Sequence, residues 1–408
     1  MLTQISKLLA SDGLADDRFG WSVNISSDGN TALIGAYGAD SSKGGNSGAV
    51  YVFVKAGNEW TQQAKIVPAE GNAGDWFGYS VSLSKDGDTA IIGSVYDDEV
   101  ISNAGAAYIF VRSGTTWTQQ AKLLASDRAT DDRFGWSVDI ADDGNTAIIG
   151  AYWDDTSYAD TGSVYIFVRS GTTWSQQSKI TALDATAGDT LGVAVSISGD
   201  GNTIIAGAWG DDDKGINSGS AYVFIRSGTT WTQQAKLIAS DIVAEDRFGN
   251  SICISNDGNT AIIGAYIHNA RKGAAYIFVR SGASWTQQAK LQSSNGAVDD
   301  SFGRAVSVSG DGNTALIGAH GDDDAGYNSS GAAYIFVRSG IIWSQQSKIT
   351  ASDGAPGDYF GYSVSLSYGG IALIGAWGDG DKGSISGSAY IFDINFRPPR
   401  IIGYLCGG

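Results

Sequence analysis

Short apolar stretches alternate along the chain with polar turns rich in glycine, asparagine and aspartate. Residues 19–25 alternate large and small side chains with a period of two, which predicts a β-strand. The dipeptide Asp28-Gly29 suits the positive φ of a hairpin turn, and residues 31–36, apolar on both faces, follow as a second strand. Two further strands are predicted at residues 49–54 and 60–66. No stretch has helical spacing, so the pattern predicts an all-β chain.

This four-strand pattern occurs seven times. The first strand of each unit opens on a large apolar residue followed by glycine, at intervals of 54–58 residues: Phe19, Phe77, Phe134, Leu191, Phe248, Phe302 and Phe360. A tryptophan before a Thr/Ser-Gln-Gln run marks the fourth strand of six units: Trp60, Trp117, Trp174, Trp231, Trp285 and Trp343. Four-stranded units in such numbers are typical of a β-propeller. We therefore predict a seven-bladed β-propeller with four antiparallel strands in each blade.

The two ends of the chain are predicted to complete one blade. The seventh unit has three strands and no fourth, whereas residues 2–10 match the fourth strand found at residues 117–125. We expect residues 2–10 to form the outer strand of the last blade and so close the ring. Residues 1–395 are then one domain, and residues 396–408, which fit no repeat, are a C-terminal tail.

The repeated motifs resemble those of the FG-GAP repeat. The opening Phe-Gly is accompanied by Gly-Ala in the second strand, as at Gly35-Ala36, and the resemblance covers residues 1–395. That repeat builds the seven-bladed head of integrin α chains and related bacterial, fungal and protist surface proteins. The resemblance therefore implies an extracellular or cell-surface module for adhesion or protein binding. Residues 1–7 lack the apolar segment of a signal peptide.

The family's usual calcium loop, which lies between the first and second strands, is not carried over to this chain. Aligned on Asp28-Gly29, its other ligand positions hold Asn24, Ser26 and Ala32. A hard cation takes six or more oxygen ligands, several of them from carboxylates. One aspartate and an alanine do not supply them, so this segment is predicted to be a plain hairpin turn.

Charge divides the predicted disc into two faces. The chain has 26 Lys and Arg against 43 Asp and Glu, a net charge of −17, which repels polyanions and excludes nucleic acid as a partner. Loops before the first strand and after the second share one edge of each blade, and they hold 32 acidic and 9 basic residues. We call this edge the acidic loop face, with a net charge of −23 against +6 elsewhere. The recurrent lysine of the fourth strand is assigned to the opposite face and rim. No run of about 18 apolar residues occurs, so no transmembrane segment is predicted.

The loop after the second strand is the candidate metal site. In three units it spaces oxygen-bearing side chains so that they can converge on calcium, the one cofactor that the sequence suggests. The candidate ligands are Asp211, Asp213, Asn217, Asp322, Asp324, Asn328, Asp379 and Asp381. The alternative is a solvated, aspartate-rich turn.

Two further sets of residues are candidates for a ligand-binding face. One carboxylate recurs two residues before the opening phenylalanine, where it either contacts a ligand or fixes the loop by accepting backbone N–H groups. This set is Asp17, Asp75, Asp132, Asp189, Asp246, Asp300 and Asp358. Rings at the end of the second strand either stack on sugars or cations or cap the core between blades. This set is Tyr37, Tyr152, Trp209, Tyr266, His320 and Trp377.

Catalysis has little support in the sequence. The two histidines, His268 and His320, lie in different units without the spacing of a zinc site, and no nucleophile or nucleotide motif occurs. We therefore predict a non-catalytic binding or adhesion propeller that presents its acidic loop face to a protein or cationic ligand. The alternative is a multivalent lectin with sugar sites repeated around the ring. The sequence leaves the oligomeric state open.

Overall fold

The computed structural model of the chain describes residues 3–57, 59–156, 158–323 and 328–394. It contains seven four-stranded antiparallel sheets, the blades of a β-propeller, as predicted. The chain starts with β1 (Thr3–Leu8), which belongs to the last blade. The predicted tail, residues 396–408 with Cys406, lies outside the described residues.

The first three blades have the following strands. Blade 1 contains β2 (Ser22–Ile25), β3 (Thr31–Ala36), β4 (Ala49–Ala56) and β5 (Glu59–Ile66). Blade 2 contains β6 (Phe77–Leu83), β7 (Thr89–Ser94), β8 (Ala106–Ser113) and β9 (Thr116–Leu123). Blade 3 contains β10 (Ser137–Ile140), β11 (Thr146–Ala151), β12 (Ser163–Ser170) and β13 (Thr173–Ile180).

The other four blades repeat this order. Blade 4 contains β14 (Ala194–Ile197), β15 (Thr203–Ala208), β16 (Ser220–Ser227) and β17 (Thr230–Leu237). Blade 5 contains β18 (Ser251–Ile254), β19 (Thr260–Ala265), β20 (Ala274–Ser281) and β21 (Ser284–Leu291). Blade 6 contains β22 (Ala305–Val308), β23 (Thr314–Ala319), β24 (Ala332–Ser339) and β25 (Ile342–Ile349). Blade 7 contains β26 (Ser363–Leu366), β27 (Ile371–Ala376) and β28 (Ser388–Asp393), with β1 outermost.

Burial increases from the rim towards the second strand of each blade. All six residues of β3 are buried because neighbouring blades cover both of its faces, whereas most residues of β5 on the rim are exposed or partly buried. One short element departs from the all-β prediction. It is a single helical turn, α1 (His268–Arg271), in which Asn269 and Ala270 have positive φ.

Neighbouring blades meet through glycine. A Cβ on Gly35 in β3 would lie 2.1 Å from the carbonyl oxygen of Gly78 in the next blade, and the equivalent pair forms at all seven junctions. Gly20 has a φ of +91°, so the chain bends there and β2 begins only at Ser22, three residues later than predicted. The glycines therefore admit the backbone of the neighbouring blade.

The outer strands are joined by the Gln-Gln run. The first glutamine, such as Gln62, accepts the backbone N–H of Ser11 at 2.9 Å, in the loop that leads into its own blade. The second, such as Gln63, accepts the indole N–H of Trp117 from the next blade at 3.1 Å. Both contacts recur in other blades. The two glutamines therefore link the outer strand to the loop that leads into its own blade and to the outer strand of the next blade.

The ring closes as predicted, because β1 pairs with β28 and blade 7 has the order β1-β28-β27-β26. The backbone N–H of Phe19 donates to the carbonyl of Ser386 at 3.0 Å, which joins blade 1 to blade 7. Leu8 and Ala10 are buried against the core of the same junction. The closing strand is thus packed like every other fourth strand.

Deleting residues 2–10 is expected to lower the melting temperature by about 5 °C or more. The deletion exposes the edge of β28, removes buried Leu8 at a cost of about 2 kcal/mol, and leaves Asp379 without Lys7 at a cost of about 3–5 kcal/mol. In a chain of this size each kcal/mol shifts the midpoint by about 1 °C. Calorimetry measures the change, and adding the 2–10 peptide in trans should restore part of it. An unchanged midpoint would contradict closure by β1.

Candidate functional site

The recurrent carboxylate before the opening phenylalanine lies inside the acidic loop face. Asp132 is 3% exposed, and its Oδ2 accepts the N–H of Ala129 at 2.6 Å. The same bond to the residue three positions earlier forms in every blade, for example from Leu14 to Asp17 at 2.8 Å. The seven carboxylates, with Asp75, Asp189, Asp246, Asp300 and Asp358, are all buried. They fix the loops and are not on the surface that a ligand would meet.

Burial changes the acidity of several of these groups. Desolvation raises the pKa of Asp75, Asp132 and Asp358 to about 6, and it also raises the pKa of Asp17 and Asp189. The single backbone N–H that each one accepts offsets only part of this effect. These carboxyl groups therefore take up protons in the fold at a pH where an exposed aspartate is ionised.

In blade 4, the carboxylates predicted to bind calcium, Asp211 and Asp213, instead form ion pairs with a lysine. The ammonium of Lys236 lies 2.7 Å from Asp211, 2.6 Å from Asp213 and 2.9 Å from Asp184. The hydroxyl of Tyr222 also donates to Asp211 at 2.7 Å. Although burial opposes it, hydrogen bonds to the three carboxylates raise the pKa of Lys236. A calcium ion at this position would have to displace the ammonium.

The same arrangement forms in blades 7 and 6. Lys7 lies 2.8 Å from Asp379 and 2.7 Å from Asp381, and Lys348 lies 2.8 Å from Asp322. The amide candidates do not join these clusters, because Asn217 directs its side chain to Glu245, at 3.3 Å. The exposed Asn328 accepts Gly357 N–H through its backbone carbonyl. Asp324 lies outside the described residues.

Each blade therefore holds a cluster of a fourth-strand lysine, a third-strand tyrosine and loop acids. The lysine ammonium lies 5.2–5.7 Å from the ring centre of its tyrosine in all seven blades. The assignment of these lysines to the opposite face was wrong: the strand ends at the acidic loop face and brings its ammonium there. The net charge of that face is accordingly −16 and not −23. Two blades lack the buried aspartate of this cluster: Ala39 replaces it in blade 1 and His268 in blade 5.

Among the residues that the structure describes, no group of three or more His, Cys, Asp and Glu side chains is arranged to hold a metal ion. Asp28, in the hairpin that was not predicted to bind calcium, also has hydrogen-bond partners. Its carboxylate accepts the hydroxyl of Ser26 at 2.5 Å and the N–H of Asn30 at 2.9 Å. Calcium binding stays a prediction, and the described acids that the sequence offered for it are held by lysine or by the backbone.

The rings at the end of the second strand point to the centre of the disc. Tyr37 and Tyr152 are buried, while Trp209, Tyr266, His320 and Trp377 are partly buried. Tyr37 packs edge-on against Trp21 at 4.7 Å, and Trp377 lies 5.7 Å from the same indole. Burial, with Arg304 and Arg271 nearby, lowers the pKa of His320 to about 3, so its imidazole is neutral near pH 7.

Three of these rings, Tyr152, Trp209 and Tyr266, line a cavity at the centre of the propeller, which we call the central funnel. It encloses about 610 Å³ and is lined by the innermost strands of all seven blades. Its upper tier is the residue two positions after the opening phenylalanine: Trp21, Tyr79, Trp136, Val193, Asn250, Arg304 and Tyr362. Aliphatic side chains such as Val23 and Val138 form a lower tier. This site was not predicted from the sequence, although the large residue that follows Phe-Gly could have indicated it.

Arginines alternate with the rings of the central funnel. Arg247 lies 4.4 Å from the ring centre of Trp209, and Arg304 lies 4.4 Å from that of Tyr362 and donates to its hydroxyl at 2.6 Å. Arg18 lies between Tyr37 and Trp377 at 5.1 and 5.8 Å. Cation–π contacts hold these guanidinium groups in place.

The sequence profile of the FG-GAP repeat matches seven segments of the chain. They are residues 2–53, 60–110, 117–167, 174–224, 231–278, 285–336 and 343–392. No curated protein matches the chain. A search of the described residues finds no helix with the length and hydropathy needed to cross a membrane.

Replacing Lys236 with methionine is expected to destabilise the fold by about 3–5 kcal/mol, because it leaves buried Asp211 without its counter-charge. The matched control is Lys65→Met in blade 1, where Ala39 replaces the buried aspartate and Lys65 pairs with the half-exposed Asp12. We expect that control to cost about 1 kcal/mol or less. Urea denaturation measures both, and equal losses would contradict the role given to the buried aspartate.

Raising the pH from 4.5 to 7 is expected to lower the melting temperature. The pKa of Asp75, Asp132 and Asp358 is raised in the fold, so the stability they contribute is fully present below about pH 4 and is lost as they ionise through about pH 6. The triple Asp→Asn variant keeps the acceptor oxygen and should flatten the slope. Asp16→Asn, at an exposed loop position, is the control and should leave the slope unchanged. A triple variant with the parent slope would refute the assignment.

Proposed function

The chain belongs to the FG-GAP repeat family, and from that premise we propose that it is a non-catalytic binding propeller that docks a protein on its acidic loop face. The observation that carries the proposal is the placement of exposed apolar side chains among exposed carboxylates on that face. The family is characteristic of extracellular proteins, which supports a role in adhesion or surface recognition.

Exposed apolar side chains concentrate on the acidic loop face. Of the ten large hydrophobic residues that are exposed in the described part of the chain, seven belong to its loops, with exposures of 57–85%. They are Leu14, Val100, Tyr158, Leu183, Ile216, Val243 and Val298. Single exposed apolar residues are ordinary, but this bias towards one face is a feature of interaction surfaces.

The charge of the same loops sets the chemistry of the partner. Exposed carboxylates lie beside the apolar residues, for example Asp16 near Leu14 and Glu245 near Val243. The N–H of Glu245 donates to the carbonyl of Ile216 at 2.7 Å, so the loops of blades 4 and 5 form one continuous surface there. A partner with lysine or arginine around apolar side chains complements this surface.

The described site favours binding over catalysis. The carboxylates that come together in blades 4 and 7 are neutralised by Lys236 and Lys7, so neither pair is poised as an acid and a base. His268 bonds to Asp246 at 2.8 Å and to Lys290 at 2.8 Å, and it is not directed to solvent. These contacts support a structural use of the titratable groups.

A multivalent lectin is the less favoured alternative. Repeated sugar sites would need one exposed ring in each blade, whereas Tyr37 and Tyr152 are buried and the other rings are partly buried. An array of neutral glycans tests this alternative directly. Binding of single neutral sugars with several sites per chain would favour the lectin.

Peptides selected from a random library on the immobilised protein are expected to combine Lys or Arg with Leu, Phe or Trp. Their affinity should fall as salt is raised, because the carboxylates contribute to attraction. A variant with Leu14, Leu183, Ile216 and Val243 changed to serine should bind the selected peptides about 10-fold more weakly. The control changes Ile341 and Ile342, exposed on the opposite side, to serine. Equal binding to both variants would contradict the proposal.

A further inference from the structure

Four arginines that contact the rings near the centre of the disc lack a carboxylate partner, and two of them, Arg247 and Arg304, line the central funnel. Arg18, Arg133, Arg247 and Arg304 contact tyrosine hydroxyls and aromatic rings. In the described ranges, the ion pairs of the chain involve other cations, and these four form none. This is unexpected in a chain with 43 acidic residues, whose carboxylates could have been placed beside them.

The guanidinium groups are also short of hydrogen-bond acceptors. The Nε atoms of Arg18, Arg133 and Arg247 are buried and have no partner in the described structure. Buried donors are normally satisfied, because an unmade bond forfeits the hydration that the group had in water. The arrangement thus carries positive charge and donor capacity that the protein itself does not use.

The central funnel is not seven-fold symmetric. Its upper tier is closed by large side chains in five blades, whereas Val193 in blade 4 and Asn250 in blade 5 leave a notch. Trp136 flanks the notch on one side and Arg304 on the other, and Trp209 and Arg247 line the same cavity. A notch of this kind occurs once in the ring, so it provides one site per chain.

We propose that the notch of the central funnel binds one small carboxylate carried on a ring. The carboxylate would lie between Arg247 and Arg304, which offer planar, paired donors suited to it. The ring would pack against the indole of Trp136, with the amide of Asn250 available to a polar substituent. A cavity of about 610 Å³ falls in the usual size range of small-molecule sites.

The surroundings select against other ligands. A cation would meet the guanidinium groups of Arg247 and Arg304, which line the cavity and already cover the faces of Trp209 and Tyr362 at 4.4 Å. A polyanion would be repelled by the acidic loop face around the opening. A compact monoanion satisfies both conditions. Sugar acids and aromatic acids share this chemistry and are the two sources to be distinguished.

Titration of the full chain with glucuronate and with benzoate, followed by tryptophan fluorescence and calorimetry, tests the proposal. At least one acid should bind with a stoichiometry of one and about 10-fold more tightly than its neutral analogue, glucose or benzamide. Arg247→Gln and Arg304→Gln should each weaken binding about 10-fold or more. Arg226→Gln is the control, because Arg226 stacks on Trp231 at the rim and should leave affinity unchanged.

A second variant tests the proposal even if the arginine substitutions disrupt the fold. Asn250→Trp restores at the notch the residue that blades 1 and 3 carry, and it should abolish binding while the melting temperature stays within about 2 °C of the parent. Binding of glucuronate alone identifies a sugar-acid site, binding of benzoate alone an aromatic-acid site, and both support the proposal. Binding of neither acid, equal binding of the neutral analogues, or unchanged binding by Asn250→Trp would overturn it. Protein docking on the exposed loop residues is measured separately and does not depend on this result.

Discussion

The contact between two glycine backbones at each blade junction is the constraint on which the rest of the propeller depends. A Cβ on Gly35 would lie 2.1 Å from the carbonyl oxygen of Gly78, and one on Gly20 would lie 2.2 Å from that of Ser388. Side chains at these positions would force neighbouring blades apart. Gly35 is required by the close contact alone. Gly20 is required by the contact and also by its φ of +91°. The second residue after the opening residue then faces the central funnel in every blade.

Charged side chains lie inside the blades as well as on their surface. Each lysine–tyrosine–aspartate cluster places a cation where the sequence suggested a metal ion, and the lysine serves as a tethered counter-charge. Strand register explains the error, because Lys236 pairs directly with Tyr222 across the two outer strands and both reach the loop edge. The signal was available, since every unit has a lysine at that place in the fourth strand.

Departures from the repeat are the most informative positions. Every blade keeps the glycines, a large apolar opening residue and the buried second strand, so differences between units at other positions point to separate demands. His268 and Ala39 alter individual clusters without changing the blades around them. Val193, Asn250 and Arg304 interrupt a ring of aromatic residues and give the central funnel one distinct side. Seven similar blades can therefore build one asymmetric cavity together with an extended outer face.

The sequence alone determined the number of blades, the order of strands and the closure by β1, because periodicity and alternation are local properties of the chain. It also identified the turn at Asp28-Gly29 and the candidate acids. Only the tertiary structure decided what those residues meet. Asp132 turns inward to a backbone N–H, Asp211 meets a lysine that is 25 residues away, and Arg304 joins rings from separate blades. The physical reason is that burial and partnership depend on how loops, strands and blades pack in space, which repetition implies but does not specify.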